Sequence, residues 1–137
     1  MLMTQPDNPH PTMPDTQPAI RVTALPGDAN AYGDIFGGWL MGQMDLAAAS
    51  IASRHARGRA VTIAVDGMTF HRPVFVGDEV SVFGRLIEVG RTSMKVEVEA
   101  WARDRHGEDA RKVTQAVFAF VAVGPDRRPR PVQSLAG

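Results

Sequence analysis

The sequence contains no cysteine, so disulfide bonds, thiolate nucleophiles and cysteine metal ligands are all excluded. No apolar run approaches the roughly 20 residues that a membrane-spanning helix requires. The first residues lack the charged and apolar regions of a secretory signal. Acidic and basic residues are equal in number, 15 of each, so the net charge favours neither a nucleic acid nor a membrane surface as a partner. We therefore expect a cytoplasmic protein with no membrane and no nucleic-acid partner.

Several motifs of enzyme families are also missing. The chain has no G-x-S-x-G nucleophile elbow, no phosphate-binding P-loop and no G-x-G-x-x-G dinucleotide fingerprint. The histidines show no spacing typical of a metal site: His10, His55, His71 and His106. The sequence therefore predicts neither a metal nor another cofactor.

Both ends of the chain have the composition of flexible segments. Residues 1–18 contain five of the ten prolines among polar residues, and residues 125–137 are again polar and proline-rich. Such segments cannot bury enough apolar surface to fold independently. We expect a disordered N-terminal tail at 1–18, one folded domain at 19–124 and a flexible C-terminal tail at 125–137.

The folded region is predicted to contain one helix and several strands. Residues 36–57 lack proline and are rich in Ala, Leu and Met, which favours a long helix over 36–57, with Gly58 after it as the C-terminal stop. Residue patterns predict strands at 19–25, 60–74, 79–89, 92–104 and 112–123, with clear alternation of apolar and polar residues in 60–74 and 92–104. The last strand is apolar on both faces, which indicates a central place in the sheet. One helix must then cover one face of a largely antiparallel sheet. This predicts an α+β hotdog fold, with one long central helix wrapped by a curved antiparallel β-sheet.

Asp45 is an unusual residue within this helix. On a helical wheel it falls about 40° from Met41, beside the apolar stripe. Burial of an unpaired carboxylate is costly, so for an isolated Asp a partnered position at the stripe's edge is the more common explanation. A catalytic carboxylate is the alternative.

The helix is preceded by a polar loop and a pair of glycines. Gly37 and Gly38 would leave the free N–H groups of the first helical turn open to an anion or a developing oxyanion, although close packing is the common reason for such a pair. Asn30 in the preceding loop is most simply a turn former, and its amide could also orient a water or a carbonyl.

The spacing of these residues makes a geometric prediction. Asp45 lies eight residues after Gly37, which corresponds to about 12 Å along a helix. Reacting atoms must approach to about 3–3.5 Å, so one chain cannot place both groups on one carbonyl carbon. If both act in one reaction, Asp45 must come from a neighbouring chain, as in a two-fold dimer.

The stretch PGDANAYGDIFGGWLMGQMD (26–45) strongly resembles YciA-type acyl-CoA thioesterases of the hotdog superfamily, relatives of the brain-type acyl-CoA hydrolases. Further similar stretches are VTIAVDGMTFHRPVFVGDEV (61–80), GRTSMKVEVEAWAR (90–103) and KVTQAVFAFVAV (112–123). The resemblance covers residues 19–131 and implies hydrolysis of acyl-CoA to a free acid and CoA, without a cofactor. It also implies that Asp45 is the catalytic acid, that Asn30 lies near the thioester, and that Gly37 and Gly38 polarise its carbonyl.

The resemblance further implies that CoA is bound across subunit contacts in a homodimer, with a homohexamer as a trimer of dimers. Four residues are expected near the nucleotide end of CoA: Gly90, Arg91, Thr92 and Ser93. The depth of the acyl pocket is expected to depend on Met41, Met68 and Phe70.

Two mechanisms and two other functions stay open at this stage. Asp45 could act as a general base on water, or could attack the thioester directly to form a mixed anhydride. A non-catalytic acyl-CoA-sensing hotdog module would use the same pocket. A hydratase or dehydratase would need a histidine and an acid near the helix start, and the sequence has no histidine there.

Overall fold

A computed structural model describes residues 12–135 of the chain. Its elements follow the predicted order of strand, helix and four strands. They are β1 (Ile20–Thr23), a short 3-10 helix (Pro26–Asp28), α1 (Gly37–Ala56), β2 (Ala60–Asp66), β3 (Glu79–Val89), β4 (Ser93–Arg103) and β5 (Ala110–Ala122). The first part of the predicted N-terminal tail, residues 1–11, lies outside the described residues.

The five strands form one antiparallel sheet in the order β1-β3-β4-β5-β2. Along β4, Met94, Val96 and Val98 are buried against the helix side while the alternating charged residues face the other way. β5 lies between β4 and β2, so the prediction of an interior strand is confirmed. The two edge strands are β1 and β2.

Helix α1 covers one face of this sheet with an uninterrupted apolar stripe. The stripe contains six buried residues: Leu40, Met44, Ala47, Ala48, Ala52 and Ala56. Small alanines dominate its second half, which lets the helix approach the sheet closely. The core therefore lies between α1 and the inner side chains of the sheet, the arrangement predicted from the sequence.

The helix ends one residue earlier than predicted. Arg57, not Gly58, adopts the left-handed conformation, with φ of 55°, and the Gly58 N–H donates to the Ser53 carbonyl. Gly58 leaves room for Arg130 instead, since a Cβ atom there would lie 2.6 Å from the Arg130 guanidinium and would require that side chain to shift. That guanidinium donates a 2.7 Å hydrogen bond to the carbonyl of Ala56 and so caps the helix C-terminus.

The strand predicted at 60–74 is shorter in the structure. β2 ends at Asp66, because Gly67 turns the chain away with φ of 60°. Residues 67–78 then run without regular secondary structure except for one bridge at Phe75. The alternating pattern continued past Gly67, so the prediction of a strand in 67–74 was wrong.

The C-terminal segment packs against the domain along part of its length. The backbone N–H of Arg130 donates to Ala122, that of Val132 donates to Arg91, and the Val132 side chain packs on the core. Residues 12–18 have no regular structure, and Pro14 and Gln17 line a cavity of about 470 Å³ with Phe83.

Candidate active site

The start of helix α1 presents unpaired backbone donors. Phe36 is the N-cap residue and provides no side-chain cap. Within the described part of the chain, the N–H groups of Gly37 and Gly38 have no hydrogen-bond acceptor, and both residues are exposed. Unpaired N–H groups at the positive end of a helix form a site for an anion or an oxyanion.

The two glycines differ in their surroundings. A Cβ atom on Gly37 would lie 3.3 Å from the ring of Phe70, whereas one on Gly38 would meet nothing within 4 Å. Close packing therefore accounts for Gly37 but not for Gly38. Gly38 is exposed, and a side chain there would meet nothing inside the chain.

Asn30 shapes the loop that leads into the helix. Its side-chain oxygen accepts hydrogen bonds from the N–H groups of Tyr32, at 2.8 Å, and Asp34, at 3.1 Å. The turn-forming role predicted for Asn30 thus occupies its acceptor. Its side-chain NH₂ has no acceptor among residues 12–135, so Asn30 can interact with a ligand only as a donor.

A cavity of about 230 Å³ opens at the same helix end. Most of its lining is apolar, with one arginine. The lining residues are Ile35, Phe36, Gly37, Leu40, Phe70, Arg72, Pro73, Val74 and Val113. The volume lies below the roughly 300–1,000 Å³ typical of sites for larger ligands, so the cavity suits a small apolar group.

Asp45 is half-buried in the middle of the helix and has one defined partner. The Thr62 hydroxyl donates a 2.6 Å hydrogen bond to its Oδ1 atom. Thr62 lies near the start of β2, directly before an irregularity in the β2–β5 register. Bulges of this kind often re-aim side chains beside functional sites. Asp45 keeps its second oxygen free of protein partners in residues 12–135.

The helix is continuous between the two candidate groups. Eight residues separate Gly37 from Asp45 within α1, which corresponds to about 12 Å along its axis. The cavity at the helix start and the Asp45 carboxylate therefore cannot act on the same atom within one chain.

The two elements that hold Asp45 and its partner Thr62 carry several exposed apolar side chains. Five exposed apolar side chains of α1 and β2 form what we call the apolar patch: Met41, Leu46, Val61, Ile63 and Val65. Among residues 12–135, no strand lies beside the outer edge of β2. An exposed apolar patch on an edge strand is typical of a protein–protein contact.

The residues predicted to set the acyl pocket are not together in this chain. Phe70 lines the cavity at the helix start. Met41 is 39% exposed in the apolar patch, and Met68 is half-buried against the core. Leu40 and Val74, which the sequence analysis did not select, line the cavity in their place.

The connection Gly90, Arg91, Thr92 and Ser93 lies at the opposite end of α1. The Thr92 carbonyl accepts the Ala122 N–H, and the Arg59 carbonyl accepts the Val123 N–H, so these segments meet near the start of β2. They bring together what we call the arginine end: Arg54, Arg57, Arg59, Arg91, Arg127 and Arg128. All six are exposed, and none forms an ion pair with a carboxylate in the described residues.

The resolved pKa shifts lie away from both sites. The hydrogen bond from Arg103 lowers the pKa of Glu79 from its ordinary value, with burial acting against it. The same contact, 2.8 Å long, raises the pKa of Arg103. No group of three metal-ligating side chains occurs within residues 12–135. No helix in that range is long and apolar enough to cross a membrane.

Thr62 is the main functional candidate that the sequence analysis missed. Its signal was a single threonine in an alternating strand, which is too common to select it. Only the position of β2 beside the helix brings its hydroxyl to Asp45.

Comparison with known proteins agrees with these features. The model of the thioesterase superfamily matches residues 32–108. An uncharacterised acyl-CoA thioester hydrolase of Zymomonas mobilis is 54% identical over 133 residues, which cover 97% of this chain and 89% of that protein. The acyl-CoA thioester hydrolase YciA of Escherichia coli is 46% identical over 121 residues, covering 86% and 92%.

A solved structure shares the fold. It is an aspartate-to-alanine mutant of HI0827, a hexameric broad specificity acyl-coenzyme A thioesterase. It superposes with a TM-score of 0.81 at 44% identity, over 85% of this chain and 86% of that one. The chain therefore belongs to the thioesterase superfamily, within the group of YciA-type hotdog acyl-CoA thioester hydrolases.

Proposed function

We propose that this protein hydrolyses acyl-CoA thioesters to a free carboxylic acid and CoA. The observation that carries the proposal is the pairing, on one helix, of unpaired N–H groups at Gly37 and Gly38 with a carboxylate at Asp45 held by Thr62. A thioester hydrolase needs these two elements: donors for the carbonyl oxygen and a carboxylate for the attack.

The carbonyl oxygen of the thioester would bind at the helix start. The N–H groups of Gly37 and Gly38 would donate to it and stabilise the negative charge that develops there. The side-chain NH₂ of Asn30 would donate to the same oxygen or to the attacking water, because its acceptor is used in the turn. The cavity behind Gly37 would take the acyl group.

The carboxylate would come from a second copy of the chain. The apolar patch lies on α1 and β2, the elements that hold Asp45 and Thr62, and its burial against a second copy would bring the partner's helix start towards this carboxylate. A two-fold dimer then has two equivalent sites, each made by two chains. We further propose a hexamer as a trimer of such dimers, since HI0827 is hexameric.

Two routes fit this arrangement. In the first, Asp45 removes a proton from water, the water oxygen attacks the carbonyl, and CoA leaves as a thiolate that takes the proton from Asp45. In the second, a carboxylate oxygen attacks, CoA leaves, and water cleaves the resulting anhydride. In a single turnover in water carrying a heavy oxygen isotope, label in the Asp45 side chain would identify the second route, because only there can water attack the Asp45 carbonyl of an anhydride.

The nucleotide of CoA would bind at the arginine end, with the connection Gly90, Arg91, Thr92 and Ser93. Arginine binds phosphate groups bidentately, and these side chains have no carboxylate partner in the described residues. Arg59 precedes Thr62 by three residues, about 10 Å along a strand, so an extended ligand can reach from one to the other. The cytoplasmic location stays a prediction.

Thiol release from a series of acyl-CoA esters tests the proposal. We expect the wild-type protein to release CoA and the Asp45→Ala variant to lose nearly all turnover while it keeps its fold and its acyl-CoA binding. Full activity in the Asp45→Ala variant would show that the Asp45 carboxylate takes no part in the reaction. Binding of acyl-CoA without any thiol release by the wild-type protein would favour a sensing module instead.

A further inference from the structure

We propose that Arg111 is a positioning residue that sets the acyl preference of the site, an inference that rests on the proposed function. Arg111 lies near the start of β5 and reaches no catalytic group itself. It acts on the segment 69–75, which forms one wall of the cavity at the helix start.

This wall has no helix or strand of its own to hold it. Residues 67–78 are irregular, and yet Phe70, Arg72, Pro73 and Val74 line the cavity. Phe70 comes within 3.3 Å of the place where a Cβ atom of Gly37 would stand. The position of the wall therefore decides how much space remains beside the candidate oxyanion donors.

Arg111 holds the wall through several contacts at once. Its guanidinium donates to the Pro73 carbonyl through Nε at 3.3 Å and through Nη2 at 3.2 Å. It also pairs with the Asp78 carboxylate and lies 5.4 Å over the ring centre of Phe75. Asp78 is only 4% exposed and accepts the Phe75 N–H at 2.9 Å. One side chain thus fixes both ends of the stretch 73–78.

A bulge in β5 lets the same strand hold the rest of the wall. The register with β4 shifts so that Val113 has no residue opposite it. The Val113 carbonyl accepts the His71 N–H at 2.8 Å, and the buried Thr114 hydroxyl donates to the Thr69 carbonyl at 2.6 Å. On this side of β5, β2 pairs only with residues 117–122. The segment 69–75 lies along the part of the β5 edge that β2 leaves unpaired.

The wall is also tied to the loop that carries Asn30. The Ile35 N–H donates to the Val74 carbonyl at 3.1 Å, and Asp34 forms a bridge with Phe75. Asp34 in turn accepts the Asn30 N–H at 2.7 Å. Loss of the Arg111 contacts would therefore loosen the cavity and the Asn30 donor together, while Asp45 and Thr62 keep their places.

The test compares Arg111→Met and Arg111→Lys with Arg103→Met. Arg103 is a matched control, because it is also half-buried and paired with a carboxylate, Glu79, but has no contact with the wall. Two readouts are needed: kcat and KM for acyl-CoA esters from acetyl to lauroyl, and Kd for CoA thioethers of the same chain lengths, which cannot be hydrolysed.

We expect Arg111→Met to bind and hydrolyse longer chains better relative to short ones, because a loosened wall admits a larger group. The long-to-short ratio of both kcat/KM and affinity should change on the order of tenfold, about 1.4 kcal/mol. Arg111→Lys should restore part of the preference, since it keeps the charge opposite Asp78 but loses the bidentate contact to Pro73. Arg103→Met should keep the wild-type preference.

The results separate this inference from the proposed function. If the wild-type protein binds the thioethers but releases no thiol from any ester, the proposed function fails and the thioether affinities alone decide the role of Arg111. An unchanged chain-length profile in a folded Arg111→Met variant, an equal change in Arg103→Met, or no thioether binding by the wild-type protein would each overturn the inference.

Discussion

The hydroxyl of Thr62 donates a 2.6 Å hydrogen bond to the carboxylate of Asp45, across the junction between an edge strand and the central helix. This contact leaves the second carboxylate oxygen available and fixes the direction in which it points. Activity of a carboxylate at a reaction centre depends steeply on such orientation, because small displacements remove the alignment of the reacting atoms.

Replacement of Thr62 tests this relationship. We expect Thr62→Val to lower kcat roughly ten- to a hundredfold with a smaller change in KM, because a misplaced carboxylate loses attack geometry more than substrate affinity. Thr62→Ser keeps the hydroxyl and should retain most of the rate. Steady-state kinetics of the two variants measure this effect. Equal activity in the Val and Ser variants would show that the Thr62 hydroxyl does not contribute to catalysis.

Gly38 offers a test of the oxyanion donors with little steric effect inside the chain. A Cβ atom there meets nothing within 4 Å, so Gly38→Ala should leave folding intact. We expect kcat/KM to fall on the order of ten- to a hundredfold, as for damage to an oxyanion hole, because the methyl group obstructs approach to the N–H. Gly107→Ala, in a hairpin loop with only ordinary contacts at 3.7 Å and beyond, is the matched control and should match the wild type.

If each active site is made by two chains, two variants that are inactive alone should recover activity in a mixed dimer. Asp45→Ala and Gly38→Val should each be inactive alone. When two differently tagged chains are co-expressed and the mixed species is purified, each mixed dimer should contain one intact site, with Asp45 from one chain and Gly38 from the other. We expect about half of the wild-type kcat per mixed dimer, as the symmetry of a two-fold assembly requires. No recovery of activity would place each site within a single chain.

The Arg130 cap should contribute to stability rather than to chemistry. Arg130→Ala removes hydrogen bonds to the carbonyls of Ala56 and Val123, and we expect a loss of about 1–3 kcal/mol in the free energy of unfolding. Arg128→Ala is the control, since Arg128 is exposed and only its backbone is bonded, with the N–H donating to Asp126 and the carbonyl accepting from Gly124. Urea denaturation measures both.

Gly58 extends this prediction to a double-mutant cycle. Gly58→Ala should destabilise the wild type, because its methyl group would meet the Arg130 guanidinium at 2.6 Å. In the Arg130→Ala background the same change should have little effect. Additive effects of the two substitutions would show that the glycine is required for another reason.

The Glu79–Arg103 pair predicts a pH dependence of stability. The pKa of Glu79 is lowered in the folded chain, so its ionised form stabilises the fold above the pKa of the unfolded state. That contribution disappears as the pH falls through the lowered pKa. We expect the Tm of Glu79→Gln to lie below that of the wild type at neutral pH and to converge with it in acid. The difference should be small, because the pair is partly exposed to solvent. A Tm difference that grows in acid would contradict the assignment.

The helix and its candidate groups could be predicted from the sequence because they depend on local patterns. Composition fixes the helix, the spacing of Gly37 and Asp45 fixes their separation, and neither depends on the rest of the fold. Thr62 and Arg111 could not be predicted in the same way. Their roles follow from which strand lies beside the helix and from bulges in β2 and β5, and these are pairings between residues far apart in the chain.

The path of the segment 67–78 could not be predicted from the sequence either. Its apolar and polar residues alternate as in a strand, but Gly67 turns the chain out of the ladder. Its backbone groups then bond to side chains and to the bulged part of β5 instead. The alternation of apolar and polar side chains does not show which groups the backbone will bond, so this change of hydrogen-bond partners could not be predicted.

Strand β2 combines a proposed contact surface with a contact to the candidate catalytic residue. Its outer edge and its apolar side chains are the surface proposed to bind a second copy, and its Thr62 holds the carboxylate. Dilution of the protein would therefore lower the specific activity per chain along the same curve as dissociation. The chain would be a hydrolase only above the concentration at which it finds its partner.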